Sequence, residues 1–148
     1  MKLGGNQLLP GTPEQVWALL NGPVRLAKLL PGCERLDPDG PDRWKAAVKF
    51  AIAAISGKYA VSIQFTEKKP PKSLRMHIEG KGVPGFMKGE GLLELVAKRS
   101  ETELRYSGEA QVGGMVAAVG QRMIEMAARK MVKQFFDNAA KELQESPS

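Results

Sequence analysis

Successive stretches between residues 43 and 112 alternate apolar with polar residues at a period of two. This period is typical of a strand that buries one face and exposes the other. Turn-forming sequences, among them DPDGPD at 37–42 and Pro70-Pro71, separate the stretches. The pattern predicts a long antiparallel sheet with one apolar face. The apolar positions include Trp44, Val48, Phe50, Ile52, Tyr59, Ile63, Phe65, Leu74, Met76, Ile78, Met87, Leu93, Leu95, Leu104, Tyr106, Ala110 and Val112.

The first 32 residues predict one edge strand and two short helices. LGGNQLLP is a short stretch bounded by Gly and Pro, as expected of an edge strand. Thr12 is followed by Pro13 and, three residues on, Gln15, which is the pattern of a capping box with proline at the first helical position. A second short helix is expected after NGP at 21–23, ending at Pro31-Gly32.

The last predicted element is a long amphipathic helix from near Gly114 to about Leu143. A strand, two short helices, an antiparallel sheet and one long helix make an α+β domain in which the sheet must curve around the helix to bury its apolar face. We therefore predict a single domain over residues 1–144, followed by a polar tail at 145–148.

The predicted long helix is low in side-chain volume on its apolar side, as Ala117, Ala118, Gly120, Ala127 and Ala128 illustrate. Because protein interiors are close-packed, such a helix either approaches the sheet closely or leaves a lined cavity. We predict a cavity for a hydrophobic molecule, with a hairpin at 80–85 beside its entrance and Phe86 as a gate. The alternative for each residue is ordinary core packing. The predicted ligand-binding residues are Trp44, Phe50, Tyr59, Ile63, Met76, Ile78, Phe86, Leu93, Tyr106, Val116, Gly120, Met123 and Ala127.

Reactive side chains are few. The chain has one cysteine, Cys33, and one histidine, His77, too few for a structural zinc site, so neither a metal nor another cofactor is predicted. His77 alternates with Arg75 and Glu79 on the polar side of its strand, and Cys33 has no histidine nearby in sequence. Tyr106 is expected to orient a ligand by hydrogen bonding. We therefore predict a protein without catalytic residues.

The formal charge is +6. The basic residues are scattered and few aromatic residues accompany them, so nucleic acid is not an expected partner. Arg122, Arg129 and Lys133 recur at helical spacing opposite the apolar stripe of the last helix. They form either an ordinary solvated face or a docking surface for anionic lipid headgroups or an acidic partner protein. Residues 1–148 contain neither the pattern of a secretory signal nor an apolar run long enough to span a membrane. This favours a cytoplasmic location.

The order of elements resembles the helix-grip superfamily, which includes START (SRPBCC) domains, polyketide cyclases and Bet v 1-like proteins. Within it, three stretches resemble the CoxG family of carbon monoxide dehydrogenase subunits. They are LLPGCERL at 29–36, GKGVPGFMKGEG at 80–91, and VGGMVAAVGQRMIEMAARK from residue 112, followed by Phe135-Phe136. The resemblance covers almost the whole chain.

The resemblance implies a helix-grip fold with an internal pocket and a role beside a molybdenum hydroxylase at the inner face of the cell membrane, where a quinone is a plausible cargo. The resulting hypothesis is a non-catalytic accessory protein that holds a lipophilic small molecule. Two alternatives stay open: an enzyme of the cyclase or aromatase kind on the same fold, and an assembly or recruitment factor whose pocket is incidental.

Overall fold

The computed structural model describes residues 1–51 and 56–145 and shows the predicted α+β architecture, a seven-stranded antiparallel sheet with two short helices and one long helix. Ile52, which the alternation assigns to the first predicted strand, lies outside the described residues, as do residues 146–148 of the predicted tail. The elements are β1 (Lys2–Pro10), α1 (Pro13–Asn21), α2 (Pro23–Leu29), β2 (Cys33–Pro38), β3 (Arg43–Phe50), β4 (Gly57–Lys69), β5 (Ser73–Gly82), β6 (Gly85–Lys98), β7 (Glu101–Gly113), a 3₁₀ helix (Gly114–Val119) and α3 (Gln121–Glu145).

The strand order is β1-β7-β6-β5-β4-β3-β2, and every neighbouring pair is antiparallel. The predicted alternation is confirmed: Trp44, Ala46 and Val48 are buried along β3, between exposed neighbours. β1 lies at one edge, as predicted. β2, at the other edge, was not predicted, because CERLDP has polar residues and a β-bulge where an alternating apolar pattern would be needed.

The start of α1 confirms its sequence signature. The Gln15 amide nitrogen donates to Thr12 Oγ1 at 3.2 Å, and the Thr12 amide nitrogen donates to Gln15 Oε1 at 2.8 Å. This reciprocal pair is a capping box, which satisfies two amide groups that the first helical turn leaves without helical partners. Val16, Leu19 and Leu20 of α1 are buried.

The long helix begins later than the sequence predicts. Residues 114–119 form a 3₁₀ helix, and α3 begins at Gln121 and ends at Glu145, the first residue of the predicted tail. The cause is Gly120, whose φ of +97° is incompatible with a continuous right-handed helix. The 3₁₀ helix is held to the β5–β6 turn, where the Val116 amide donates to the Pro84 carbonyl at 2.7 Å.

The two ends of the sheet are packed differently. At the end where β1 finishes and β7 begins, which we call the filled end, the interior is fully buried, and Leu143 of α3 approaches Gly11. The fully or nearly fully buried side chains here include Leu9, Leu19, Leu74, Thr102, Leu104, Ala139 and Leu143. At the opposite end, where β3 finishes and β5 turns into β6, inward residues such as Phe50, Ile78 and Met87 are only partly buried. We call this the cavity end.

Candidate functional site

A cavity of about 330 Å³ lies between the inner face of the sheet and α3, towards the cavity end. Its walls come from β1 and from strands β3 to β7, from α1, from α2 and the two residues after it, from the 3₁₀ helix, and from α3 as far as Phe136. The lining is almost entirely apolar. This size is within the range of pockets that hold small organic molecules.

Most of the predicted ligand-binding residues are brought together around this cavity. Alternation along the strands accounts for the strand residues, since it turns every second side chain towards α3. Val116 comes from the 3₁₀ helix and Ala127 from α3. The predicted residues that line the cavity are Phe50, Tyr59, Ile63, Met76, Ile78, Phe86, Leu93, Tyr106, Val116 and Ala127.

Three predicted residues do not line the cavity. Trp44 is buried nearer the filled end, where its ring meets Phe65 edge-on at 4.9 Å between centroids. Gly120 lies exposed at the break between the 3₁₀ helix and α3. Met123 is exposed because α3 begins at Gln121 and not near Gly114, which changes the direction in which its side chain points.

Phe86 stands at the rim of the cavity and not across it. Its strand partners are Lys81 on β5 and Gly113 on β7, and its ring lies over Gly113, so closely that a Cβ there would overlap the ring. Gly113 therefore provides the space in which this half-exposed ring rests. The ring borders the cavity at the surface.

The floor of the cavity is made of glycines, a feature that the sequence pattern did not predict. Gly89 and Gly91 on β6 and Gly108 on β7 occupy inward positions of the alternation, and Gly91 is paired directly with Gly108. A Cβ on Gly91 would lie 3.0 Å from the Ser107 carbonyl oxygen, and one on Gly108 would overlap the Glu90 carbonyl oxygen. Neighbouring strands thus approach closely here, and the absence of side chains opens the space above them. The sequence does contain a signal for this floor, because these glycines occupy every-second positions between apolar inward residues of the same strands.

The helices also contribute residues that were not predicted. Leu26 of α2 and Leu30 and Pro31, which follow it, close one side of the cavity. No pattern in the sequence of the short helices predicts this role. Besides the predicted Ala127, α3 contributes Ile124, Ala128, Met131, Val132, Phe135 and Phe136 to the lining. Several of these belong to the predicted apolar stripe, but the direction of the stripe depends on where the helix starts.

The hydroxyl groups at the cavity belong mainly to two tyrosines. Burial raises the pKa of the Tyr59 phenol, so it is neutral at physiological pH. The Tyr106 ring packs against Phe136 at 5.3 Å between centroids. It also lies over Gly5 of β1, where a Cβ would be 2.8 Å from the Tyr106 hydroxyl oxygen. Gly5 and Phe136 therefore set the position of this ring at the cavity wall.

The other reactive candidates lie away from the cavity. His77 approaches Thr66 Oγ1 at 3.0 Å with Nε2 and Glu90 Oε2 at 3.5 Å with Nδ1, and its side chain is partly exposed. The Cys33 thiol donates to the Arg35 carbonyl at 3.4 Å, and burial raises its pKa, which disfavours the nucleophilic thiolate. Within residues 1–51 and 56–145 no group of three or more metal-ligating side chains is found.

The predicted docking residues Arg122, Arg129 and Lys133 are all exposed on α3. Lys133 pairs with Asp137 at 3.0 Å. Glu125 accepts a hydrogen bond from Gln121 at 3.3 Å. None of the helices in the described part of the chain is long and apolar enough to cross a membrane.

A seven-stranded antiparallel sheet that wraps around a long C-terminal helix, with an apolar cavity between them, defines a helix-grip protein. The family model for CoxG, a subunit of carbon monoxide dehydrogenase, matches residues 5–144. The chain belongs to this family, in agreement with the resemblance of the stretches at 29–36, 80–91 and 112–130.

Solved structures support the fold. A conserved protein from Geobacillus kaustophilus is 39% identical, with a TM-score of 0.95 over 99% of this chain and 97% of that chain. An uncharacterised protein from Rhizobium leguminosarum is 13% identical, with a TM-score of 0.76 over 99% and 95%. The protein TTHA0849 from Thermus thermophilus is 10% identical, with a TM-score of 0.74 over 100% of both chains. No curated protein matches the chain.

Proposed function

We propose that this protein is a non-catalytic accessory of a molybdenum hydroxylase such as carbon monoxide dehydrogenase, and that it holds a lipophilic small molecule such as a quinone in its cavity. The binding unit in this proposal is residues 1–144, and its place is the cytoplasmic face of the cell membrane. The link to the hydroxylase is drawn from the family's name. The observation that carries the binding role is the apolar cavity itself.

Three features support a bound lipophilic molecule over an incidental void. The cavity is large for a chain of 148 residues whose other half is tightly packed. Its floor is cleared by Gly89, Gly91 and Gly108, where alanine or valine would close the space. Its walls include Met76, Met87 and Met131, whose flexible side chains adapt to the shape of a ligand.

The chemistry of the lining favours binding over catalysis. Catalysis by general acids and bases needs two or more groups in mutual reach. Among the described lining residues, the inward titratable side chains are Tyr59 and Tyr106, while Glu90 and Glu109 take outward positions in the alternation. A cyclase-like enzyme would call for an inward acid and base, so this alternative receives less support.

The test is native mass spectrometry of the purified protein, organic extraction of any bound molecule, and titration with quinones of different tail length. Saturable binding supports the proposal and the preferred tail length gives the cargo class. A matched pair of variants localises the site: Ala128→Phe places a ring in the cavity, whereas Ala118→Phe places the same ring on the exposed face of the 3₁₀ helix.

We expect Ala128→Phe to weaken quinone binding by about tenfold or more, because the new ring occupies part of the space that the quinone needs. Ala118→Phe should leave quinone binding unchanged. Circular dichroism verifies that both variants are folded. If no quinone or lipid binds the wild-type protein saturably, the carrier role is refuted and the assembly-factor alternative is preferred. Co-purification of the hydroxylase with this protein tests the partner independently of the cargo.

A further inference from the structure

Exposed apolar side chains are concentrated at the cavity end. Val83 in the β5–β6 turn is 90% exposed, Met115 in the 3₁₀ helix 67% and Met126 in α3 60%, with Phe86 and Met123 also exposed. We call these five residues the tip surface. The other large apolar side chains exposed in the described part of the chain are Leu8 and Val24, on β1 and α2.

The three elements that carry the tip surface are fixed to one another. The Val116 amide donates to the Pro84 carbonyl, and a Cβ on Gly114 would lie 2.8 Å from the Gly85 Cα, so the 3₁₀ helix rests on the β5–β6 turn. The 3₁₀ helix leads directly through Gly120 into α3. The β5–β6 turn, the 3₁₀ helix and the start of α3 therefore lie together beside the cavity rim, next to Phe86.

Basic side chains lie at the same end. Lys49 and Lys58 are directly opposite each other on β3 and β4, and Lys81 is opposite Phe86. Arg122 adjoins Met123 in the chain. Like charges opposite each other in a sheet are destabilising, and an anionic surface would relieve this repulsion.

These cations are available for an external partner. All four are exposed, and none takes part in an ion pair within residues 1–51 and 56–145. The carboxylates nearest along the chain have other partners: Glu79 lies 3.6 Å from Lys88, and Glu125 accepts a hydrogen bond from Gln121. The cavity end thus combines protruding apolar side chains with exposed positive charge.

We infer that the tip surface docks on a bilayer containing anionic phospholipids, with Lys49, Lys58, Lys81 and Arg122 at the headgroups. Apolar side chains that protrude from a turn enter the headgroup and acyl boundary, and basic residues beside them add electrostatic attraction. This orientation turns the cavity rim towards the bilayer. This inference rests on the membrane location given in the proposed function, whereas its test does not depend on the cargo.

Flotation with vesicles tests the inference, using phosphatidylcholine alone and phosphatidylcholine mixed with phosphatidylglycerol. We expect binding only to the mixed vesicles, and weaker binding as salt is raised. The double variant Lys58→Glu with Lys81→Glu should weaken binding about tenfold or more. Its matched control is Lys69→Glu with Lys72→Glu, which changes the net charge equally at the filled end and should bind like the wild type.

The apolar contribution has its own matched pair. Val83→Asp should reduce flotation by about tenfold or more, whereas Leu8→Asp, also at an exposed position, should not. Absence of wild-type binding to anionic vesicles, or equal loss with both control variants, would overturn the inference. Titration of the same variants with a water-soluble quinone separates the two proposals. Retained quinone binding with lost flotation supports docking at the tip surface, and flotation without quinone binding refutes the cargo role alone.

Discussion

The ring of Tyr106 on β7 and the ring of Phe136 on α3 lie 5.3 Å apart between centroids, with their planes inclined by 39°. This pair joins the sheet to the long helix at the boundary between the cavity and the filled end. Both rings line the cavity, and Phe136 is buried. Their contact therefore fixes how closely α3 can approach the sheet at this point.

The first prediction concerns this pair. In a double-mutant cycle of Tyr106→Leu and Phe136→Leu, we expect a coupling free energy of about 0.5–1.5 kcal/mol, typical of aromatic pairs. Urea denaturation of the wild type, both single variants and the double variant gives the value. Tyr106→Phe retains the ring and serves as control. Strict additivity of the two substitutions would contradict a direct interaction between the rings.

The second prediction concerns the glycine floor. Gly108→Ala should destabilise the protein by about 1–3 kcal/mol, because the new Cβ overlaps the Glu90 carbonyl oxygen and the strands must shift apart. Gly4→Ala is the matched control, since its Cβ would meet only ordinary contacts, 3.4 Å from the Tyr106 carbonyl oxygen. Chemical denaturation measures both. Equal stability of the two variants would show that β6 and β7 leave room for a Cβ at Gly108.

The third prediction concerns the buried hydroxyl of Thr102, which donates to the Gly11 carbonyl at 2.8 Å. Thr102→Val keeps the shape but leaves this carbonyl without its donor, at a cost of about 1–3 kcal/mol. Thr102→Ser restores a donor and should recover part of the loss, despite a missing methyl group. Thermal and urea unfolding compare the variants. A valine variant as stable as the wild type would show that water replaces the hydroxyl.

The fourth prediction concerns alkaline pH. Burial raises the pKa of Tyr59 in the folded state, so the folded protein holds the phenolic proton more tightly than the unfolded chain does. The associated stability is complete below the ordinary tyrosine pKa of about 10 and is lost as the pH rises through that value towards the raised one. Tyr59→Phe should therefore lose less stability between neutral and alkaline pH than the wild type. Unfolding free energies measured across this range test this, and parallel curves would contradict it.

Much of the fold was predictable because alternation and capping are local. Thr12, Pro13 and Gln15 predict the start of α1 from adjacent residues, and alternation predicts which face of each strand is buried. β2 was missed because its position at an edge relaxes the apolar pattern that a central strand needs. The break at Gly120 was missed because a single glycine is compatible with a helix until its φ is known.

The cavity was predictable in kind but not in full. Alternation predicted that Phe50, Ile78 and Tyr106 point inwards, and all three line the cavity. The direction of side chains on α3 depends on where the helix begins, so Met123 was assigned to the cavity although it is exposed. The glycine floor depends on a pairing, Gly91 with Gly108, that joins two strands and cannot be read from either alone.

The contrast between the filled end and the cavity end separates the residues that carry most of the packing from those that shape the cavity. Side chains such as Leu9, Leu19 and Leu74 supply the dense packing on which stability depends. Residues that border the cavity, such as Met76 and Ile78, are only partly buried, so we expect substitutions there to cost less stability. Substitutions at the cavity end can therefore change the shape of the cavity while the scaffold at the other end stays intact.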